Sequence, residues 1–153
     1  MHNSVKNLVD INNNIEATLS DLKINNEVKI VAVSKTFNLD KILPLIEYGH
    51  VHYGENKVQE AIDKWTDIKK ENDKIKLHMI GKLQTNKVKL AVKLFDYIHS
   101  VESEKLAKKI SDEAKKINKK IKIFVQVNIG SENQKSGIDT GQLEKLLVLC
   151  KKI

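Results

Sequence analysis

The chain has 153 residues, 41% hydrophobic and 31% charged, with a formal net charge of +7. That allows one domain with a sizeable core, and no apolar run approaches the roughly 18 residues that a membrane span needs. All 27 basic residues are lysine, so no guanidinium fork is available to grip a phosphate or carboxylate.

The elements alternate regularly along the chain. A leading helix carries Val5, Leu8, Ile11, Ile15, Leu19 and Leu22 at three- and four-residue steps. Val28 to Ser34 reads as a buried strand, being β-branched and nearly continuous in apolar residues. A helix follows, with Asn38 as its N-cap, Gly49 as its stop and Pro44 inside it, where it bends the helix or removes a hydrogen bond. Val51-His52-Tyr53 is a brief second strand, ending in Gly54-Glu55-Asn56. The next helix aligns Val58, Ala61, Ile62, Trp65 and Ile68 on one face. Lys76 to Ile80 is the third strand, stopped by Gly81, and Thr85 caps a helix bearing Val88, Ala91, Val92 and Leu94. Tyr97 to Ser100 is the fourth strand, followed by a helix with Leu106, Ala107, Ile110, Ala114 and Ile117. Ile121 to Val127 is the fifth strand, and a loop over 128–139 leads to a last helix from Gly141 to Lys152.

Five successive β–α units predict a parallel sheet with right-handed crossovers in a single domain spanning 1–153. Two α/β architectures satisfy that pattern: an open doubly wound sheet, or part of a (β/α)₈ barrel. In either, ligands collect at the C-terminal ends of the strands. Those ends deliver Lys35, then Glu55 and Asn56, then His78 to Gln84, then His99, Ser100 and Glu102, then Gln126 and Asn128.

Lys35 carries the most chemistry. Side chains alternate along a strand, so Val31, Val33 and Lys35 share one face, and an amine ends the apolar run. In a dry site the charged form of a lysine is disfavoured, leaving a nucleophilic amine able to form Schiff bases with carbonyl compounds. The competing readings are bland: a solvated strand end for Lys35, a helix-capping turn for Gly54-Glu55-Asn56, and packed or hydrogen-bonded roles for His78 and His99. The five histidines have no metal-ligand spacing, and no glycine-rich phosphate fingerprint is present. The lysines spread along helices beside acidic residues, as in Ser111-Asp112-Glu113-Ala114-Lys115-Lys116, and only 5% of residues are aromatic. That argues for solvated helix faces over a nucleic-acid surface. A lone cysteine, Cys150, excludes an internal disulfide and suits a reducing cytoplasm.

Four ordered segments then narrow the reading: Val31-Ala32-Val33-Ser34-Lys35-Thr36, Tyr53-Gly54-Glu55-Asn56-Lys57-Val58-Gln59-Glu60, His78-Met79-Ile80-Gly81-Lys82-Leu83-Gln84-Thr85-Asn86-Lys87, and Val127-Asn128-Ile129-Gly130-Ser131-Glu132-Asn133-Gln134-Lys135-Ser136-Gly137. In order and spacing they resemble the pyridoxal phosphate homeostasis protein family (YggS/PROSC type, alanine racemase N-terminal-domain-like). The resemblance implies a partial TIM-type (β/α) barrel of about five βα units behind a leading N-terminal helix. It implies pyridoxal 5'-phosphate held as a Schiff base on Lys35, with Asn56, His78, Met79, Gly81, Ser100 and Asn128 as its surroundings. No catalytic turnover is expected; a racemase-type enzyme and a remnant without cofactor binding are the alternatives. Members of that family continue beyond the point matching Ile153, through a Ser/Gly-rich loop and an Arg-Ile-Gly segment that cradle the phosphate. The resemblance therefore implies a C-terminally truncated chain without that anchor, whose open barrel edges favour self-association.

Overall fold

The computed structural model describes residues 2–130 and 136–153. Helix α1 (Asn3–Asp21) precedes five βα repeats: β1 (Ala32–Val33), α2 (Leu39–Glu47), β2 (His52–Glu55), α3 (Val58–Glu71), β3 (Lys76–Met79), α4 (Val88–Leu94), β4 (Tyr97–Val101), α5 (Glu104–Lys116), β5 (Lys122–Val125) and α6 (Leu143–Lys152). The five strands form one sheet in the order β1-β2-β3-β4-β5, and every pair is parallel. A doubly wound sheet reverses direction part-way through its strand order, whereas sequential order is the progression of a barrel. The topology thus decides between the two α/β architectures.

The sheet has two unlike faces. Tyr53, Leu77, Met79 and Ile98 join Ala61, Trp65, Val88, Ala91, Val92, Leu106 and Ile110 in one buried cluster between sheet and helices. On the other face stand His52, Gly54, His78, Tyr97, His99, Lys122 and Phe124, as the pairing and the contacts between these rings require. This second face is the inner side of the curved sheet, and Val33 and Phe124 on it are about half exposed.

Local chemistry explains several boundaries. The Ser103 hydroxyl accepts from the Leu106 N–H and caps α5, whose first turn holds Glu104 and last turn Lys115 and Lys116, matching the helix dipole. Asp96 Oδ2 accepts from the Leu77 N–H at 2.8 Å and from Lys69 Nζ at 2.6 Å, pinning the end of α3 to the start of β3. Gly49, at φ +97, ends the segment after α2.

Several expectations are corrected. The first strand shrinks from Val28–Ser34 to Ala32–Val33 and is not a buried strand, because an edge strand pairs on one side only and Val28 and Val33 stay about half exposed. The second strand runs on through Gly54 and Glu55; a Cβ at Gly54 would press on Val31 Cγ1 and Ile80 Cδ1, both at 3.2 Å. Thr85 is no N-cap: it opens a 3-10 turn, Thr85–Lys87, that leads into α4. Asn38 holds the N-cap position of α2 without a side-chain hydrogen bond, and a 3-10 turn, Thr140–Gln142, precedes α6. In α1 only Val5 and Leu8 are buried, while Ile11 and Leu22 of the expected apolar face are exposed.

Candidate functional site

The register places the candidate residues. Val33, Gly54, His78, Tyr97 and Lys122 lie on one rung across the sheet. Two residues on come Lys35, Asn56, Ile80 and His99, at the C-terminal edge where a parallel α/β sheet gathers its ligands. Lys35 is exposed, in a turn just past β1, rather than enclosed in a dry pocket. Its turn is closed by the Phe37 N–H donating to Ser34 O at 3.2 Å, with Thr36 in the left-handed region at φ +68.

Asn56 is partly buried, and its Oδ1 is buried with no hydrogen-bond partner. Gly81 lies against it so closely that a Cβ would come within 2.3 Å of the Asn56 carbonyl oxygen. Glycine is required there for the close approach of the β2 and β3 ends. Among the described residues, the other buried side-chain atom without a partner is Ser100 Oγ, in the irregular stretch of β4 between Ile98 and Val101. Buried polar atoms are nearly always satisfied, so the orphan just past β2 and the orphan within β4 each call for a partner.

The inner face carries a row of imidazoles. His52 Nδ1 and His78 Nε2 share a hydrogen bond of 2.9 Å, and His78 Nδ1 and His99 Nε2 share another of 2.9 Å. His78 also stacks on Tyr97, with centroids 4.1 Å apart and planes 6° apart. Burial, then the neighbouring His99 and His52, push the His78 pKa down to about 4. Burial lowers His52 and His99 as well. A neutral His78 must donate at one ring nitrogen and accept at the other, so the row runs in one direction or the reverse.

Of the expected surroundings, His78 stands on the inner face, Lys35 and Asn56 follow β1 and β2 at the C-terminal edge, and Gly81 adjoins Asn56. Met79 points away from them, buried in the core against the helices. Asn128 lies beyond β5, its N–H donating to Ile138 O at 2.9 Å, beside Gly137 at φ +127. Residues 131–135 of the fourth sequence segment lie outside the described residues. No group of three or more His, Cys, Asp or Glu side chains among the described residues is arranged to hold a metal, and no helix among them is long and apolar enough to cross a membrane.

Sequence reasoning passed over a cluster behind Lys35. Glu55 is 1% exposed, and its Oε1 accepts from Ser34 Oγ at 2.8 Å, Lys64 Nζ at 2.9 Å and Trp65 Nε1 at 2.9 Å. The available signal was a carboxylate two residues after Tyr53, on the helix-facing side of a strand.

A sequentially ordered parallel sheet with its unsatisfied polar atoms at the strands' C-terminal ends defines a barrel-type β/α domain. The chain belongs to the alanine racemase N-terminal domain family, whose pattern it matches over residues 7–153. Among curated relatives, it is 34% identical over 149 residues to the pyridoxal phosphate homeostasis protein of Pasteurella multocida, covering 97% of this chain and 63% of that protein. Among solved structures, PipY of Synechococcus elongatus with PLP bound superposes with a TM-score of 0.73 at 34% identity, over 85% of this chain and 60% of PipY. Alanine racemase of Clostridium difficile, 17% identical, shares the fold at a TM-score of 0.64 over 91% of this chain and 37% of the racemase. The chain thus spans less than two thirds of the length of each.

Proposed function

We propose that this chain binds pyridoxal 5'-phosphate covalently through Lys35, as a cofactor-homeostasis protein without catalytic turnover. The observation that carries the reading is the exposed Lys35 just past β1, beside β2, after which comes Asn56, whose buried Oδ1 lacks a partner. The names of the curated relatives and the PLP held by PipY support the same reading. The residues present fit the group at its ring end: one exposed amine and one orphan acceptor. When bound, the group supplies a reactive carbonyl carbon and a ring able to disperse charge. Lys35 provides the attaching nitrogen, and Asn56 Oδ1 accepts from a donor on the ligand. Ser100 Oγ, on β4, is a second group to be satisfied. Residues 1–153 hold no guanidinium, so what they offer the phosphate is lysine ammonium groups and backbone N–H groups. Point-charge contacts of that kind make for an exchangeable ligand, which suits a carrier.

A racemase-type reaction needs a general base facing the cofactor. Tyr48 is exposed at the end of α2, Tyr53 is buried with its hydroxyl donating to His50 O at 3.0 Å, and Tyr97 is stacked on His78. Burial raises the Tyr53 pKa further from a working range. None of the three is set up as a base, which favours binding over turnover. Edge strands β1 and β5 each pair on one side among the described residues, so self-association belongs to the same reading. Light scattering over a concentration series checks it; a monomer throughout would remove that part.

The test is chemical mapping. The chain is incubated with pyridoxal phosphate, reduced with borohydride and digested for mass spectrometry. Modification concentrated at Lys35, and lost in Lys35→Ala, is the expected result. Labelling scattered over surface lysines, unchanged in Lys35→Ala, would overturn the reading.

A further inference from the structure

The turn that presents Lys35 is gripped from behind. The Ser34 carbonyl accepts from the Phe37 N–H at 3.2 Å and from Lys64 Nζ at 2.9 Å. Its hydroxyl donates to Glu55 Oε1 at 2.8 Å, with the Gly54 carbonyl at 3.3 Å. Lys64 in turn pairs with Glu55 at 2.9 Å, its side chain only 15% exposed and that of Glu55 1% exposed. Trp65, from the next position of α3, fills the third donor place on the same oxygen. Both ends of Ser34 are therefore fixed by side chains from β2 and α3, one peptide ahead of Lys35.

We propose that Glu55, Lys64 and Ser34 form a positioning set that fixes the direction in which the Lys35 amine is presented. The inference rests on the reading of Lys35 as the attachment site and deepens it. Three features carry the argument. A buried ion pair contributes little net stability, since its attraction is set against the desolvation of both charges. Yet here both partners converge on a single residue, Ser34, in the one turn that carries the candidate nucleophile. That turn also contains a β-branched residue, Thr36, at φ +68, a conformation that persists only where its surroundings over-determine it. Reactive groups work when held to within about half an ångström, and a side chain on an exposed turn has that precision only if its backbone is clamped.

The experiment compares Lys64→Met, which deletes the clamp, with Lys64→Arg, which keeps a cation and its donors. In the cofactor-free chain, amide hydrogen exchange at Phe37 reports the turn directly. Lys64→Met is expected to speed that exchange about tenfold, the equivalent of one hydrogen bond, while Ile80 and Asp96 amides in the sheet keep their protection. Lys64→Arg restores it. With pyridoxal phosphate added, the wild type is expected to show an induced circular-dichroism band in the visible, since a fixed Lys35 holds the ligand in one chiral orientation. Lys64→Met loses most of that band and at least fivefold in labelling selectivity for Lys35, and Lys64→Arg recovers both. Should Lys64→Met not fold, Glu55→Gln serves instead: it leaves an oxygen for Ser34 and Trp65 but strips Lys64 of its counter-charge. An unchanged Phe37 exchange rate and an unchanged band in the variants would overturn the inference. So would losses spread evenly over all amides and not rescued by arginine, which mark a merely structural pair. If the wild type itself fails to label Lys35, the attachment reading falls, while the exchange arm still decides whether the turn is clamped.

Discussion

A Cβ placed on Gly81 would lie 2.3 Å from the carbonyl oxygen of Asn56 and 2.8 Å from its Cα. The ends of β2 and β3 meet there backbone to backbone, with no side-chain tip able to give way. Gly81→Ala must part the two strand ends and displace Asn56. The expected cost is about 1–3 kcal/mol of stability, the range for overpacking a tight contact, read from the shift of a urea unfolding midpoint. Weaker pyridoxal phosphate binding should accompany it; an unchanged midpoint would mean that the contact relaxes freely.

Ser100 has the opposite profile. Its buried Oγ has no partner, so the hydroxyl is a liability in the isolated fold. Ser100→Ala is expected to leave stability unchanged or raise it by up to about 1 kcal/mol, while weakening cofactor retention in equilibrium dialysis. A loss of stability with retention intact would take Ser100 out of the site.

Thr36→Gly relieves a left-handed turn residue of its side-chain strain. Non-glycine residues held in this region cost of order 1–3 kcal/mol, partly offset by the greater freedom of glycine in the unfolded chain, for a net gain of about 0.5–1 kcal/mol. Thermal unfolding measures it directly. A marked fall in melting temperature would show that the threonine side chain contributes a contact that outweighs the strain.

Acid should destabilise the chain through its histidine row. An unfolded histidine takes a proton near 6.5, but His78 in the fold resists until about pH 4 because of burial and then of the flanking His99 and His52; Asp96 opposes only in part. Between those values the unfolded state binds more protons, so stability falls as pH drops from about 6.5 to 4 and levels off below. His50, His52 and His99, all lowered chiefly by burial, push the same way. The loss attributable to His78 is about 1–2 kcal/mol, allowing for solvent screening of its part-exposed neighbours. Urea titrations at several pH values check it, and His78→Gln should flatten the curve; an equally steep curve in that variant would assign the loss elsewhere.

Much of the architecture was legible because β–α alternation dictates it: the strands, the helix face of Val58, Ala61 and Trp65, and the gathering of Lys35, Asn56 and Gly81 at one edge. What escaped depends on partners that no local pattern announces. The first strand shortened because its apolar residues have a neighbour on one side only. Met79 looked like part of the site from its place in a motif, yet strand alternation turns it into the core. Whether Lys35 is enclosed could not be read from an apolar run, since enclosure depends on what covers the inner face. The Glu55 cluster was hidden because its members are scattered over residues 34 to 65 and only the fold brings them to one oxygen.

The strictly sequential strand order also has a kinetic consequence. Each strand pairs with the one before it, separated by a single helix, so every step of assembly closes a loop of similar, modest length. Among the described strands, no pairing has to wait for a distant segment. Such a chain should fold by extension, each new repeat docking on a sheet already formed, and emerge from the ribosome in that same order. The turn bearing Lys35 would then be set early, as soon as α3 brings Lys64 onto β2.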